Sequence, residues 1–369
     1  MSKKIFIITG EASGDLLAYK VIKNIISNGI EIKGIPGSNL KKLNIKGPFE
    51  SKDITFFGVT DVLKNFFYIK KKINQTVEYI ENFNPDIVFS VDSPDFLFQV
   101  IKKIRANNYI KPKFFHYVAP SIWAWRENRA FKIRKLLDKI YLLFEFEKKY
   151  FDKYSIKNYF VGHPFFEDFS QNEHSYNLDS KIISFCPGSR ASEINILMPI
   201  FLEIINSLGD DYIYHFAVTE NTYDIVKKYL QDLDKFNVII NYDEYEKNKY
   251  FVKSLISIAK SGTISLDLCK SQIPFLTIYK FNWLNYFIIR PFVKVKFVNI
   301  INIIANKEII PEFIQGNCNS KKILNHLHFL LNNKNKLKKM IADYNVILQG
   351  FSNKNTSETI AQDLINNLQ

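Results

Sequence analysis

The stretch that most constrains the fold runs from Lys181 to Met198, KIISFCPGSRASEINILM. An apolar run predicts a strand that ends at Pro187-Gly188-Ser189-Arg190, and apolar residues at helical spacing follow Glu193. A strand, tight turn and helix in this order direct backbone N–H groups toward a ligand, and Arg190 adds a forked cation that suits phosphate. The alternative is an ordinary βα turn with an exposed arginine.

A second turn of this kind lies downstream. The segment from Leu255 to Cys269, LISIAKSGTISLDLC, predicts a strand that runs into Ser261-Gly262-Thr263 and then a helix. Two turns able to hold an anion in one half of the chain are what a sugar-nucleotide diphosphate requires.

Length and charge narrow the function classes. A chain of 369 residues suits two domains. Its net charge of +13 favours a phosphate-bearing substrate, an anionic bilayer or nucleic acid, unless it only reflects the base composition of the genome. Nucleic acid is the weakest option, because the basic residues are scattered and form no recognition motif.

The N-terminal apolar run is too short for a signal peptide, since Glu11 and Asp15 follow it, and no unbroken run of about 18 apolar residues occurs. We therefore expect a cytoplasmic protein. Its cysteines, Cys186, Cys269 and Cys318, are too widely spaced to indicate a zinc site or a disulfide framework.

The first half of the chain offers a candidate general base. The strand from Asp86 to Asp92 is nearly all apolar, as central parallel strands are, and it ends in Asp92-Ser93-Pro94-Asp95. Ligands of open α/β sheets bind at this edge, so Asp92 could accept a proton from a hydroxyl group. Capping of the next helix is the alternative, and we favour it for Asp95.

Aromatic and basic residues follow the next predicted strand. Trp123, Trp125 and Arg126 could form a wall for a sugar phosphate, although tryptophans at this spacing more often pack in a core. His163 ends a later strand, where it could bind substrate or be purely structural.

The segment from Gly58 to Asn74 predicts an amphipathic helix with lysines beside its apolar stripe. The candidate membrane-facing residues are Leu63, Phe66, Phe67 and Ile69, because aromatics with a lysine collar suit a bilayer surface. Packing of the helix on a core explains the same spacing.

Seven segments occur in the order found in lipid-A-disaccharide synthases, and the chain resembles that family almost from end to end. They are GEASGD, VDSPDF, HYVAPSIWAWR, FEFEKKYFDKY, VGHP, PGSRASE and KSGTISLD. The WAWR segment and its neighbours are specific to the family, whereas PGSR and SGT are shared by many nucleotide-sugar transferases.

The resemblance implies an α/β fold of the GT-B type, with two Rossmann-like domains that face each other across a cleft and a C-terminal helix that returns to the first. Residues 1–170 would bind the acceptor, residues 171–345 the UDP-sugar, and residues 346–369 would pack back on the N-terminal domain.

The resemblance also implies an inverting glycosyltransferase. The family joins UDP-2,3-diacylglucosamine to 2,3-diacylglucosamine 1-phosphate (lipid X), which gives the β-1,6-linked lipid A disaccharide 1-phosphate and UDP. Such an enzyme needs no cofactor and acts as a peripheral protein at the cytoplasmic face of the inner membrane of a Gram-negative bacterium. Whether it forms a homo-oligomer is left open.

Residue roles follow from the same resemblance, in which Asp92 matches the family's proposed base. The candidate donor-binding residues are Gly188, Ser189, Arg190, Ser261, Gly262, Thr263, Asp267, Asn302, Glu308 and Gln315. The candidate acceptor-binding residues are Glu11, Ser13, Gly14, Asp15, Trp123, Trp125, Arg126 and His163. Two departures stand out: Asp267 replaces the usual Glu, and Asn302 lacks the family's preceding proline.

We expect no metal requirement, because the single Asp-x-Asp, Asp232 to Asp234, closes a predicted helix and Arg190 could stabilise the diphosphate. Three rival functions remain: a UDP-N-acetylglucosamine 2-epimerase, a lipid-linked N-acetylglucosaminyltransferase, and a non-catalytic nucleotide-binding protein of the membrane surface. Neither rival enzyme explains WAWR together with VDSPDF.

Overall fold

The computed structural model describes residues 3–54, 65–120, 122–123, 129–167, 176–233, 235–280, 290, 295–351 and 355–368. The chain divides into two compact units. Unit 1 comprises Met1–Asp168 and Asn353–Gln369, and unit 2 comprises Phe169–Ser352.

Unit 1 is built on a parallel sheet of six strands in the order β2-β1-β3-β4-β5-β6. The strands are β1 (Lys4–Thr9), β2 (Glu31–Ile35), β3 (Ile87–Val91), β4 (Lys113–Tyr117), β5 (Lys139–Leu142) and β6 (Asn158–Phe160). The helices described between them are α1 (Ala12–Ile22), α2 (Ser38–Lys41), α3 (Phe66–Phe83), α4 (Pro94–Asn107), α5 (Arg129–Leu136) and α6 (Lys148–Asp152).

Both faces of this sheet are buried, as the unbroken apolar strands require. Alternate residues of β1 point to opposite sides, so that Ile5 and Ile7 join one hydrophobic cluster while Phe6 and Ile8 join another. The sheet is therefore the middle layer of a three-layer unit.

Unit 2 repeats this plan with the strand order β12-β11-β10-β7-β8-β9, again all parallel. The strands are β7 (Ile182–Cys186), β8 (Ile213–Ala217), β9 (Asn237–Asn241), β10 (Ser254–Lys260), β11 (Phe275–Tyr279) and β12 (Glu312–Ile314). Its described helices are α7 (Ala191–Leu208), α8 (Glu220–Tyr229), α9 (Glu244–Phe251), α10 (Ile264–Lys270), α11 (Ile300–Ala305), α12 (Ser320–Asn332) and α13 (Lys334–Gln349).

Helix α7 is long and apolar enough, by length and composition alone, to span a membrane. Its apolar face packs inside unit 2 instead: Ile194, Phe201 and Ile205 are fully buried, and the Phe201 ring lies 4.9 Å from that of Phe185 in β7. We therefore assign α7 to the core of unit 2.

The last helix, α14 (Thr356–Leu368), belongs to unit 1, as the returning C-terminal helix was predicted to do. Lys139 of β5 donates to both carboxylate oxygens of Asp363, at 2.9 and 2.7 Å. The Lys139 side chain is only 3% exposed and that of Asp363 is 30% exposed, so this partly buried ion pair joins the helix to the sheet.

Candidate active site

The first part of the candidate site lies at the carboxyl edge of the unit 1 sheet. Strand β1 has β2 on one side and β3 on the other, so the chain leaves these neighbouring strands in opposite directions across the sheet. Such a switch point is where open α/β sheets form their ligand crevice. The turn after β1 and the first turn of α1 together carry Gly10 to Asp15, and the turn after β3 carries Asp92.

The turn after β3 has an unusual backbone. Asp92 and Ser93 both adopt left-handed conformations, with φ of 58° and 48°, and Val118, at the end of the neighbouring strand β4, has φ of 69°. The Asp92 N–H donates to the Tyr117 carbonyl at 3.0 Å, and the Ser93 N–H donates to Asp92 Oδ1 at 2.8 Å. Strain of this kind in non-glycine residues concentrates at functional sites.

The environment of Asp92 favours its role as a proton acceptor. Burial raises the pKa of this carboxyl, and the hydrogen bond from the Ser93 amide opposes the shift. A carboxylate that is more basic than usual, and still partly accessible, suits general-base catalysis.

Two glycines let the first turn approach Asp92 closely. A Cβ atom at Gly10 would lie 1.8 Å from Ser93 Oγ, and one at Gly14 would lie 3.3 Å from Asp92 Cβ. The structure therefore places Gly14 beside the candidate base, and its predicted contact with the acceptor stays a prediction. Ser13 is exposed in the first turn of α1, and Glu11 is its half-buried N-cap residue.

Asp15 has a structural role that the sequence did not reveal. It is fully buried, and its carboxylate accepts the N–H groups of Gly37 and Asn39, each at 2.7 Å. The Asp15 carboxylate therefore holds the start of α2, and its predicted contact with the acceptor sugar stays a prediction.

Trp123 is also held by protein groups. Its indole N–H donates to Glu147 Oε1 at 3.1 Å, and its ring meets that of Phe146 edge-on at 5.0 Å. Burial raises the pKa of Glu147 to about 7. The indole N–H of Trp123 is therefore not offered to a substrate, whereas the predicted contacts of Trp125 and Arg126 lie outside the described residues.

His163 is a neutral side chain packed among phenylalanine rings. Its Nδ1 accepts the Phe165 N–H at 3.2 Å, which places the ring proton on Nε2. Burial, helped by the charge of Lys20, lowers the pKa of His163 to about 4. Its Nε2–H could donate one hydrogen bond to the acceptor substrate, but the ring would carry no positive charge at neutral pH.

The second part of the candidate site lies at the corresponding edge of unit 2. Strands β7 and β10 are neighbours, with β8 and β11 on their outer sides, so this is again a switch point. The two turns predicted to hold a diphosphate follow these two strands and therefore meet at one edge. Their positions agree with the arrangement expected from the sequence.

The turn after β7 is shaped by Gly188, whose φ is 108°. Arg190 is the N-cap residue of α7, and 59% of its side chain is exposed. Glu193 lies over the turn, and its Oε2 accepts the Ser189 N–H at 3.3 Å. A cation and a helix start are thus presented at the sheet edge, as anion binding requires.

In the turn after β10, only part of the predicted donor set is available. Ser261 donates its N–H to Ile278 O at 3.0 Å and its hydroxyl to Val298 O at 2.8 Å, so both donors are used within unit 2, and its predicted diphosphate contact stays a prediction. Gly262 and Thr263 are exposed, and their N–H groups donate no hydrogen bond within the described residues. Those two amides remain the candidates.

Asp267 has the properties of a ligand-binding carboxyl. Within the described part of the chain, its side chain makes no hydrogen bond. Burial raises its pKa to about 7, and Glu244 adds to the shift while Lys247 and Lys270 oppose it. Near neutral pH it could therefore either accept or donate a hydrogen bond.

The Asn302 side chain is bonded within unit 2, and its predicted contact with the donor stays a prediction. It is fully buried; its Nδ2 donates to Ile310 O at 2.7 Å, and its Oδ1 accepts the Ile309 N–H at 2.8 Å. These bonds shape the loop that carries Glu308, which is exposed. Gln315 is buried with φ of 53°.

Two site residues were not predicted: Glu193 and Lys260, which form an ion pair at 2.9 Å between the two turns of unit 2. The only sequence signal for Lys260 is its place just before Ser261-Gly262-Thr263. Among the residues that the structure describes, no group of three His, Cys, Asp or Glu side chains could hold a metal ion, and Asp234 of the Asp-x-Asp lies outside them.

Comparison with known proteins decides the family. The profile of the lipid-A-disaccharide synthetase family matches residues 5–364. The chain belongs to this family. The lipid-A-disaccharide synthase of Rickettsia bellii (strain OSU 85-389) is 37% identical over 362 residues, which cover 94% of this chain and 93% of the relative. The predicted family and glycosyltransferase class are thereby confirmed. They are favoured over the epimerase, the other transferase and the non-catalytic nucleotide-binding protein considered from the sequence.

Solved structures that resemble this lipid-A-disaccharide synthetase family member bear out the predicted GT-B fold. A UDP-GlcNAc 2-epimerase from Neisseria meningitidis, bound to UDP-GlcNAc, superposes with a TM-score of 0.66 at 16% identity, over 98% of this chain and all of the other. Acinetobacter baumannii MurG gives 0.59 at 12% identity, over 99% of each chain. At these identities the likeness concerns the fold alone.

Proposed function

We propose that this glycosyltransferase of lipid A biosynthesis condenses UDP-2,3-diacylglucosamine with 2,3-diacylglucosamine 1-phosphate, releasing UDP and the β-1,6-linked disaccharide 1-phosphate. Family membership supports the substrates. The observation that carries the mechanism is Asp92, a partly accessible carboxylate with a raised pKa on a strained turn at the switch point of unit 1.

Inversion at the anomeric carbon needs one in-line displacement. The acceptor's 6-hydroxyl oxygen forms the new bond to the donor's C1 while the bond from C1 to the diphosphate oxygen breaks, and that electron pair leaves with UDP. The hydroxyl proton passes to Asp92, whose raised pKa improves it as a base. Unit 1 would therefore bind the acceptor sugar beside Gly14 and Asp92.

Unit 2 would bind the UDP moiety. The exposed Arg190 guanidinium and the amides of Gly262 and Thr263 suit a diphosphate, and Asp267 suits a ribose hydroxyl. The charge that grows on the leaving diphosphate would be stabilised by Arg190 and Lys260. We predict that transfer needs no divalent metal. An assay of disaccharide formation with and without EDTA checks this prediction.

The acyl chains of both substrates suggest work at the cytoplasmic face of the inner membrane. Phe67 is 84% exposed and Phe66 is 54% exposed at the start of α3, and Lys70 and Lys71 are exposed one turn later. Exposed aromatics beside lysines fit a peripheral contact with an anionic bilayer.

Asp92→Asn tests the mechanism cleanly. Asparagine tolerates a left-handed φ and can still accept the Ser93 N–H, so the turn should be kept while the base is lost. We expect the rate of disaccharide formation, followed by mass spectrometry, to fall by about 10³-fold with the UDP dissociation constant nearly unchanged. In the wild type, kcat/KM should fall as pH drops through the raised pKa of Asp92.

Asp86→Asn is the matched control, because Asp86 precedes the opposite end of β3 and binds the Lys4 N–H at 2.8 Å. It should keep turnover. Full activity of Asp92→Asn would remove Asp92 from the base role, and failure of the wild type to make the disaccharide would refute the proposed substrates.

A further inference from the structure

A single carboxylate connects the two turns of the unit 2 site. Glu193 lies in the first turn of α7, and 16% of its side chain is exposed. Its Oε2 accepts the Ser189 N–H of the first turn at 3.3 Å, and its Oε1 contacts Lys260 Nζ, beside the second turn, at 2.9 Å. The Arg190 guanidinium lies 3.9 Å from Oε1.

These partners are the groups that an anionic ligand would use. A backbone amide of a tight turn, a lysine and an arginine are the usual donors to phosphate oxygens. Glu193 thus occupies, with its own negative charge, part of the surface that the diphosphate requires. The turn is shaped around it: a Cβ atom at Gly188 would lie 2.5 Å from Glu193 Oε2.

Lys260 is held where it could serve either anion. It is the last residue of β10, 19% of its side chain is exposed, and its Nζ lies 5.2 Å from the centre of the Tyr279 ring. Burial and the charge of Glu193 raise the pKa of Tyr279, and the charge of Arg190 opposes the shift. After a small movement, the Lys260 ammonium group would bind a phosphate oxygen instead of the Glu193 carboxylate.

We propose that Glu193 is an internal counter-anion of the donor site. In the empty site it holds Lys260 and the Ser189 amide in place, and in the occupied site its charge opposes that of the diphosphate. Its effect is to weaken the binding of UDP, so that this product leaves after transfer. The inference rests on the proposed donor site in unit 2.

Glu193→Gln tests the proposal, because it removes the charge and keeps the length of the side chain. We expect the UDP dissociation constant, measured by calorimetry, to fall by about three- to tenfold, since one like charge is removed at close range. The dissociation constant of inorganic pyrophosphate should fall as well. Product inhibition by UDP should become stronger, and kcat should fall where release of UDP limits turnover.

Glu203→Gln is the matched control. Glu203 lies on the same helix, is exposed, and contacts Ser320 of α12 instead of the site. It makes the same change in net charge and should leave UDP binding unchanged. Lys260→Met should weaken UDP binding, because it removes a cation of the site and leaves the negative charge of Glu193 less compensated.

Arg190→Ala separates this inference from the proposed function. If Arg190→Ala leaves UDP binding unchanged, the donor site itself is misplaced; if it weakens binding while Glu193→Gln does not tighten it, only the counter-anion role is overturned. Should Glu193→Gln fail to fold in a thermal unfolding assay, Glu193→Asp replaces it. Its shorter carboxylate withdraws from the Ser189 amide, so UDP should bind more tightly than in the wild type, and equal or weaker binding would refute the role.

Discussion

At the scale of single residues, the candidate base depends on a close backbone approach. Ser93 follows Asp92 in the left-handed region, and its side chain fills the space above Gly10. Only glycine leaves room there. The turns after β1 and β3 can therefore approach each other closely because residue 10 has no Cβ atom. The position of the Asp92 carboxylate follows from this fit.

We predict that Gly10→Ala lowers turnover by about 100-fold, because the new Cβ must displace Ser93 and with it the base. Adding Ser93→Gly should restore most of the activity, since the nearest remaining atom, the Cα of residue 93, would lie 3.8 Å from that Cβ. Glycine also accepts the φ of 48° at this position. Steady-state kinetics of both single variants and the double variant provide the check.

Ser93→Gly alone should be close to the wild type, because no hydrogen bond of the Ser93 hydroxyl is present in the described part of the chain. Full turnover of Gly10→Ala would contradict the argument, as would a double variant no more active than Gly10→Ala.

Single residues also mark the limit of what the sequence predicts. Asp92 and Arg190 stand directly after apolar strands, so strand order alone places them at a ligand edge. Asp15 and Asn302 lie in the first turns of α1 and α11, yet they bind backbone groups instead. Asp15 accepts the N–H groups of Gly37 and Asn39, and Asn302 binds Ile309 and Ile310 in the following loop. No local pattern separates the two cases, because the partners are set by tertiary structure.

At the scale of elements, helix α3 is divided between core and surface. Ile69, a predicted membrane-facing residue, packs against the hydrophobic core of unit 1, and Lys72 binds Asp53 at 3.4 Å instead of lying free in a collar. Phe66 and Phe67 remain outside, with their rings 5.7 Å apart. Leu63 lies outside the described residues. The exposed aromatic part of this helix is therefore its first turn, and the proposed contact with a bilayer would lie there.

Phe67→Glu should lower binding to vesicles of anionic phospholipid by about tenfold or more, because it removes apolar area and adds a repelled charge. Turnover on acylated acceptors presented in vesicles should fall with it. Co-sedimentation with vesicles measures the first effect, and a detergent-solubilised assay should show nearly normal kcat.

Tyr109→Glu is the comparison, since Tyr109 is 81% exposed on the same unit but lies beyond the end of α4. Equal loss of vesicle binding in both variants would show a general effect of charge, and unchanged binding in Phe67→Glu would refute the contact.

Elements with a strong pattern were predicted from sequence, whereas short elements such as β12 were not. Strands such as β3 and β7 are unbroken apolar runs, so the sequence predicts them within about one residue. Strand β12 has only three half-buried residues at the edge of its sheet, and its sequence, Glu-Phe-Ile, carries no periodicity. Pairing with β11 creates it, which is a tertiary effect.

At the scale of the whole molecule, the two units share a buried polar pair at corresponding places. Ser90 of β3 and His116 of β4 lie 2.8 Å apart in unit 1, and Ser184 of β7 and His215 of β8 lie 2.8 Å apart in unit 2. Within the described residues, neither histidine has a partner at Nε2. Burial lowers the pKa of His116 to about 3, and burial with the charge of Lys247 lowers that of His215 to about 4.

These histidines should make the protein sensitive to acid. The unfolded chain binds a proton at His215 below about pH 6.5, whereas folded unit 2 binds it only near pH 4, so folding stability is lost as pH falls through that window. The carboxyls of Glu147 and Asp267, with pKa values raised to about 7, act in the opposite direction between their unfolded values and pH 7. The contribution of one histidine to the pH dependence of stability must therefore be measured by substituting that residue alone.

His215→Asn should reduce the loss of unfolding free energy between about pH 6.5 and 4 by about 3 kcal/mol, which is the linkage value of the shifted group. Urea unfolding at several pH values measures it. Ser184→Ala, which removes the hydrogen-bond partner but keeps the histidine, should lower stability at every pH and preserve the slope. If His215→Asn leaves the pH dependence as steep as in the wild type, the acid sensitivity of unit 2 has another source.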